Sequence, residues 1–159
     1  MIKPGKSPVF ETPAEYNLRY EDVTFTTDDG VELSGWLVEG GKDKVIIQSH
    51  FGVQCSRCGY TQEGKGMMKN ALWTSDIHFL DQAKYLVEAG YSVLMYVLRN
   101  HGNSGTGTTP WVTWRKDVLG AVQYIANHPK YPQAEIGLLS ICMGAASTTF
   151  AYGLEPELS

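Results

Sequence analysis

Three short apolar runs recur along the sequence, and they constrain its fold more than any other feature. The runs are KVIIQSH (44–50), YSVLMYVL (91–98) and AEIGLLSI (134–141). Their apolar residues are consecutive rather than alternating, which is typical of strands that are covered on both faces of a sheet. The three runs therefore predict three central strands of one buried sheet.

The stretches between these strands have helical spacing. The segment TSD (74–76) offers N-cap side chains, and the pattern that follows ends at Gly90. A second pattern covers residues 111–129 and ends at Pro129. The apolar positions of the two patterns are Leu80, Ala83, Leu86 and Val87, then Trp111, Trp114, Val118, Ala121, Val122 and Ile125. Strands that alternate with helices predict an α/β fold with a doubly wound, mostly parallel sheet.

The N-terminal part of the sequence predicts a different kind of structure. Residues 23–38 alternate apolar and polar side chains on both sides of Asp29-Gly30, which indicates an antiparallel hairpin. Before it, residues 1–20 form a proline-rich leader, and residues 21–159 are expected to form a single domain. The glycine-rich segment 51–76 has little periodicity and is interpreted as a functional loop, or as one that holds a short helix.

Composition excludes several classes of function. The 159 residues are 43% hydrophobic and carry a net charge of −4, with no cluster of Lys and Arg, so nucleic acid is not an expected partner. No apolar run is long enough for a secretory signal or a membrane span. Three cysteines make a disulfide framework improbable, and no phosphate loop or dinucleotide fingerprint occurs. We expect a cytoplasmic protein without a cofactor, a metal or a membrane partner.

The segment SICMGA (140–145) has the spacing of a nucleophile elbow. Cys142 directly follows an apolar strand, and small residues, Ser140 and Gly144, lie two positions before and after it. Small neighbours let the strand and the next helix approach closely around a strained turn. The alternative is that Cys142 is a small buried side chain at the end of a strand. As the nucleophile, it would place the backbone amide of Met143 where an oxyanion develops.

Together with three other segments, this elbow resembles the α/β-hydrolase superfamily. DDGVELSGWLV resembles the opening hairpin of that family, IIQSHFG its strand and oxyanion loop, and LRNHGNSG (98–105) its Arg-x-His-Gly-x-Ser-x-Gly loop. A cysteine at the elbow is similar to dienelactone hydrolases and polyhydroxyalkanoate synthases. The resemblance covers about residues 20–155. It implies that Cys142 is the nucleophile and that the chain acts on a small-molecule substrate.

The resemblance also assigns roles to the loop that follows the first central strand. It implies an oxyanion hole formed by the Met143 amide with the amide of Phe51 or Gly52. The choice stays open because Phe51 stands between His50 and Gly52, where the family usually has Gly directly after His. His50, His101 and Gly144 are expected to shape the loops rather than to react.

The partners of the nucleophile do not follow it in this sequence. The family order is nucleophile, acid, then His, yet no Asp or His occurs after Cys142. Three explanations compete: a truncated hydrolase, which we favour, a second chain that supplies the missing half, or a shortened relative without catalysis. In the family the 134–141 strand lies inside the sheet, so here we expect an exposed edge that promotes self-association.

The sequence thus predicts an esterase, lactonase or thioesterase in its full-length form, whereas the 159-residue chain alone is expected to be inactive. The alternatives are a non-catalytic hydrolase-like module for binding or assembly, and an acyltransferase. Cys55 and Cys58 have the spacing of a metal or redox pair, but we interpret them as ordinary loop cysteines near the pocket mouth. Trp73, Trp111 and Trp114 could line a pocket, although packing is the commoner role at helical spacing.

Overall fold

The computed structural model describes residues 7–52, 54–62, 75–108 and 111–155, with the side chain of Trp111 excepted. Its strands in chain order are β1 (Tyr20–Thr26), β2 (Glu32–Val38), β3 (Lys44–Ser49), β4 (Gly59–Tyr60), β5 (Ile77–His78), β6 (Ser92–Tyr96) and β7 (Glu135–Ser140). Its helices are α1 (Phe79–Glu88), α2 (Arg115–Ala126) and α3 (Met143–Leu154), and 3₁₀ turns cover Pro13–Tyr16 and Trp111–Trp114.

Five strands form the central sheet, in the order β1-β2-β6-β3-β7. β3 lies parallel to both β6 and β7, whereas β1 and β2 form the antiparallel hairpin that the alternating pattern predicts. Gly30 at its turn has φ +81°, a conformation that favours glycine. The predicted α/β class with a mostly parallel sheet is confirmed.

Helices cover both faces of the sheet. Successive side chains of β6 point to opposite faces and pack against different helices. Val93 and Met95 belong to the apolar cluster that contains Leu80 and Ala83 of α1. Their neighbour Leu94 belongs to the opposite cluster, together with Ala121 and Ile125 of α2. Every residue of β6 is buried. The continuous apolar run therefore arises because both faces of the strand pack against helices.

α1 begins later than the sequence predicts. The N-cap is His78 rather than a residue of the TSD segment. The carboxylate of Asp76 instead accepts hydrogen bonds from Thr61 Oγ1 (3.0 Å) and the Gln62 amide (2.8 Å). At the other end the prediction holds, since α1 ends at Glu88 and Gly90 follows with φ +90°.

A small two-stranded sheet, β4 paired with β5, lies within the segment interpreted as a loop. Each strand has only two residues, so no alternation marks it in the sequence. Residues 63–74, which include Trp73, lie outside the described residues.

The leader packs on the domain over its described part. The carboxylate of Glu11 accepts hydrogen bonds from Tyr16 Oη (3.0 Å) and His78 Nδ1 (2.7 Å), and Ser56 Oγ donates to the Pro8 carbonyl (3.4 Å). These contacts fix residues 8–16 against the β4–β5 sheet.

β7 forms one edge of the five-stranded sheet and pairs only with β3 among the described strands. Its residues from Ile136 to Ser140 are half-buried. The expected association through this edge stays a prediction. None of the helices in the described ranges is both long and apolar enough to cross a bilayer.

Candidate active site

Three loops meet at the carboxyl edge of the parallel strands. The register pairs Ser49 with Tyr96 and with Ser140, so β3, β6 and β7 end at the same level. The residues that follow these strands are therefore neighbours in space, as in the ligand-binding edge of open α/β sheets.

Cys142 lies in a sharp turn between β7 and α3. Its backbone has φ 51° and ψ −105°, a sparsely populated region for a residue with a side chain. α3 begins at the next residue, Met143, and the Ala146 amide donates to the Cys142 carbonyl (2.9 Å). The turn therefore presents the side chain of Cys142 on top of the strand, and its thiol is free and exposed.

The small neighbours of Cys142 let β3 come close to the turn. A Cβ added at Gly144 would lie 2.6 Å from the Ser49 carbonyl oxygen and 2.7 Å from Ser49 Cβ. The same Ser49 carbonyl accepts a hydrogen bond from the Ile141 amide (3.1 Å). Ser140 Oγ lies 2.7 Å from Thr148 Oγ1, which ties the end of β7 to α3. Any side chain at position 144 would push β3 away from the turn.

The Met143 amide is the first of α3, where backbone N–H groups have no partner within the helix. The Gly144 amide donates to the Ile141 carbonyl (2.9 Å), but the Met143 amide has no acceptor in the described part of the chain. Because helix N-termini carry partial positive charge, this amide suits a developing negative charge.

Gly52, in the loop after β3, contacts the residue that follows Cys142. A Cβ at Gly52 would overlap Sδ of Met143, so the two residues are in direct contact. The ring of Phe51 instead points into the apolar cluster, where it meets Phe79 edge-on at 5.6 Å between ring centroids. The structure thus brings Met143 and Gly52 together.

His50 and His101 are buried side by side beneath these loops, with ring centroids 5.2 Å apart. His50 Nδ1 lies 2.6 Å from the Phe51 carbonyl and its Nε2 accepts from the Leu98 amide (3.0 Å). His101 Nδ1 lies 2.9 Å from the Arg99 carbonyl. Burial, followed by the neighbouring His101, lowers the pKa of His50 to about 3, and burial also lowers the pKa of His101. Both rings are therefore neutral near pH 7.

The other two histidines have partners of their own. His78 Nδ1 lies 2.7 Å from the Glu11 carboxylate. His128 Nε2 lies 3.9 Å from Glu21, and its Nδ1 accepts a hydrogen bond from the Lys130 amide. The Cys142 thiol makes no hydrogen bond to a described residue. Among the residues that the structure describes, no histidine is thus paired with Cys142.

Comparison with solved structures identifies the fold that this arrangement of strands and helices forms. No protein-family model and no curated protein matches the sequence. The esterase Pf2001 from Pyrococcus furiosus does match in structure, with a TM-score of 0.74 and 27% identity over 98% of this chain and 55% of that one. The chain has an α/β-hydrolase-like fold. It spans about half the length of that esterase.

Two further structures share the α/β-hydrolase-like fold. The α/β hydrolase GrgF from Penicillium sp. sh18 has a TM-score of 0.65 and 24% identity over 87% of this chain and 43% of that one. An α/β serine hydrolase homologue from Coxiella burnetii has a TM-score of 0.60 and 18% identity over 85% of this chain and 58% of that one. At these identities the likeness concerns the fold alone.

A buried ion-pair network supports the loop after β6 in this hydrolase-like fold. Arg99 donates through Nε to Asp117 of α2 (2.7 Å) and through Nη1 and Nη2 to Asp29 of the hairpin turn (2.8 and 3.0 Å). The side chains of Arg99 and Asp117 are fully buried. Sequence reasoning identifies Asp29 only as a turn residue and Asp117 not at all, because they lie 70 and 18 residues from Arg99 in the chain.

Cys55 and Cys58 are buried in an apolar cluster, and their position near a pocket mouth stays a prediction. Both are completely buried in the cluster that contains Phe51, and neither forms a disulfide. Cys55 Sγ lies 3.1 Å from the Gly59 carbonyl and Cys58 Sγ 3.0 Å from Ser56 Oγ, so the pair stabilises the turn that leads into β4. The described residues contain no group of ligands that could hold a metal ion.

Three surface cavities of about 350, 310 and 560 Å³ lie along α2 and the turn after it. None of the three is lined by Cys142, Met143 or Gly52. Trp114, one of the suggested pocket residues, is buried in the packing at the start of α2, and the side chain of Trp111 lies outside the described residues.

Proposed function

We propose that this chain carries the nucleophile and the oxyanion donors of a hydrolase that acts on an ester, lactone or thioester. The observation that carries the proposal is the backbone of Cys142, which holds an exposed thiol at positive φ between a buried strand and a helix N-terminus. A strained residue at such a turn is a common feature of reactive sites. The resemblance to an esterase at 27% identity over nearly the whole chain supports the same reaction class.

The proposed reaction proceeds through a covalent intermediate. After a base takes the thiol proton, Cys142 Sγ attacks the carbonyl carbon of the substrate, an S–C bond forms, and the carbonyl π electrons move to oxygen. The Met143 amide and an amide from the loop after β3 stabilise that oxyanion. When the oxyanion collapses, the bond to the alcohol or thiol breaks, and the leaving group takes up the proton. Attack by water on the thioester then releases the acid and restores the thiol.

The general base of the proposed reaction is not one of the four histidines in their described positions, since each has other partners. Acylation of Cys142 can still be detected without it, because a thiol is a better nucleophile than a hydroxyl at neutral pH. Full turnover is proposed for the whole hydrolase, of which this chain would form the nucleophile half.

Mass spectrometry of the protein after incubation with an activated ester tests the proposal. We expect one acyl group on the peptide that contains Cys142 and release of the alcohol in equal amount. The Cys142→Ala variant should release no alcohol above the rate of buffer. The Cys58→Ser variant is the matched control, since it removes a thiol that is fully buried and distant in sequence from the elbow.

Two results would favour the alternatives. Alcohol release that is the same in wild type and in Cys142→Ala would remove Cys142 from the mechanism and favour a non-catalytic module. An acyl group that passes from Cys142 to an added amine or thiol faster than to water would favour an acyltransferase.

A further inference from the structure

The tautomer of the buried His50 is fixed by the strand beside it. The Leu98 amide donates to His50 Nε2 (3.0 Å), so this nitrogen carries no proton. In a neutral imidazole the proton then lies on Nδ1. Nδ1 therefore donates to the Phe51 carbonyl, 2.6 Å away. His50 thus connects the loop after β6 to one peptide group in the loop after β3.

That peptide group joins Phe51 to Gly52, and it is planar and trans. In a trans peptide the carbonyl oxygen and the amide hydrogen point in opposite directions. Since His50 holds the Phe51 oxygen toward the protein interior, the Gly52 N–H points away from the buried histidine. The amide of Phe51 belongs to the preceding peptide group and is not oriented by this contact.

The other side of Gly52 is held as well. Its carbonyl accepts a hydrogen bond from the Cys55 amide (3.3 Å), and its Cα lies against the side chain of Met143. The Gly52 amide itself donates to no acceptor in the described part of the chain. The carbonyl oxygens of Phe51 and Gly52 are thus both held by hydrogen bonds, and the Gly52 N–H is left for a ligand.

We infer that His50 is a positioning residue, which selects the Gly52 amide rather than the Phe51 amide as the second oxyanion donor beside Met143. The inference rests on the proposed function, because it needs an oxyanion to form on a substrate bound to Cys142. It gives a reason for a histidine that is buried and neutral near pH 7.

Dipeptide-selective NMR tests which amide is the donor. Phe-Gly occurs once in the sequence, at Phe51-Gly52, so carbonyl-¹³C Phe with ¹⁵N Gly yields one signal, that of the Gly52 amide. His-Phe occurs twice, so carbonyl-¹³C His with ¹⁵N Phe yields the amides of Phe51 and Phe79, the latter as an internal control. A small trifluoromethyl ketone serves as the probe. After the Cys142 thiol loses its proton to solvent, Sγ bonds to the carbonyl carbon, and the C=O π electrons move to oxygen and leave a stable oxyanion.

On formation of the adduct, we expect the Gly52 amide proton to move downfield while the amides of Phe51 and Phe79 stay in place. A downfield shift of Phe51 instead of Gly52 would overturn the inference and leave the proposed function intact. Failure of Cys142 to form any adduct would overturn the proposed function, and the inference with it.

Two substitutions of His50 each keep one of its two hydrogen bonds and remove the other. His50→Asn places an amide N–H near the position of Nδ1 and can still donate to the Phe51 carbonyl. His50→Gln places a carbonyl oxygen near Nε2 and can still accept from Leu98. We expect His50→Gln to reduce the rate of Cys142 acylation about 100-fold, as loss of an oxyanion donor does, and His50→Asn to rescue most of it.

The affinity for the ester should change little in either variant, because the donor acts on the oxyanion rather than on the bound ester. Urea denaturation of both variants measures their folding. Equal loss of acylation in the two variants at equal stability would show that His50 merely fills space between the loops, which would overturn the inference.

Discussion

Replacing Gly144 with alanine tests whether close approach of β3 to the turn at Cys142 determines the stability of the elbow. The new Cβ would lie 2.6 Å from the Ser49 carbonyl oxygen, 2.7 Å from Ser49 Cβ and 2.9 Å from the Ser49 carbonyl carbon. All three distances are below van der Waals contact, and two of the atoms belong to the backbone. No rotation of a side chain can therefore relieve the overlap.

The expected loss of stability follows from three contributions. Overpacking at a site that cannot relax by side-chain rotation costs typically about 1–3 kcal/mol. Displacement of Ser49 also weakens the hydrogen bond from the Ile141 amide, at a cost of roughly 1 kcal/mol. Alanine returns at most about 1 kcal/mol through its higher helix propensity. We expect Gly144→Ala to lower the free energy of unfolding by about 1–3 kcal/mol.

Gly153→Ala is the matched control, because Gly153 lies in the same helix and a Cβ there has nothing within 4 Å. It should raise the free energy of unfolding by up to about 1 kcal/mol through helix propensity alone. Urea denaturation followed by circular dichroism gives both values. If the two variants are equally stable, or Gly144→Ala is the more stable, then close packing at the elbow does not constrain position 144.

Three further predictions concern charge and exposure. Asp117→Ala leaves the buried Arg99 with one carboxylate fewer and should cost about 3 kcal/mol in urea denaturation, whereas removal of an exposed ion pair should cost less than about 1 kcal/mol. The hydrogen bond with Glu11 raises the pKa of His78, so this contact should stabilise the fold fully below about pH 6.5 and less as the pH rises through the raised value. Glu11→Gln should abolish this pH dependence of stability. An NMR titration of His78 that is the same in wild type and in Glu11→Gln would contradict the prediction. Iodoacetamide should modify Cys142 alone in the folded protein and all three cysteines after unfolding, and rapid native labelling of the buried pair would refute the packing of the turn before β4.

Sequence reasoning succeeds here where a structural constraint involves neighbouring residues. The continuous apolar run at residues 91–98 predicts a strand covered on both faces, and β6 is buried throughout. Gly90 predicts the end of α1 because it takes up a conformation with φ +90°. The spacing around Cys142 predicts a sharp turn, and the turn is there.

It fails where the determining contact is distant in the chain. The TSD segment has the composition of an N-cap, but Asp76 binds Thr61 and Gln62, so α1 starts later. Local propensity cannot reveal this, because the competing partners lie 14 and 15 residues earlier in the chain, directly after the two-residue strand β4. Sequence reasoning misses the Arg99 network for the same reason, since its partner Asp29 is 70 residues away in the chain.

Which amide, that of Phe51 or that of Gly52, is the second oxyanion donor also depends on a contact that is distant in the chain. The position of β3 affects both donors of the proposed oxyanion hole. At its end, Ser49 supports the turn through the Ile141 hydrogen bond and by close contact with Gly144, which fixes where α3 begins. The next residue, His50, accepts a hydrogen bond from the Leu98 amide and donates one to the Phe51 carbonyl. A shift of β3 by one residue relative to both of its neighbours, β6 and β7, would break both sets of contacts together. The relative position of the Met143 and Gly52 amides therefore depends on the β3–β7 register.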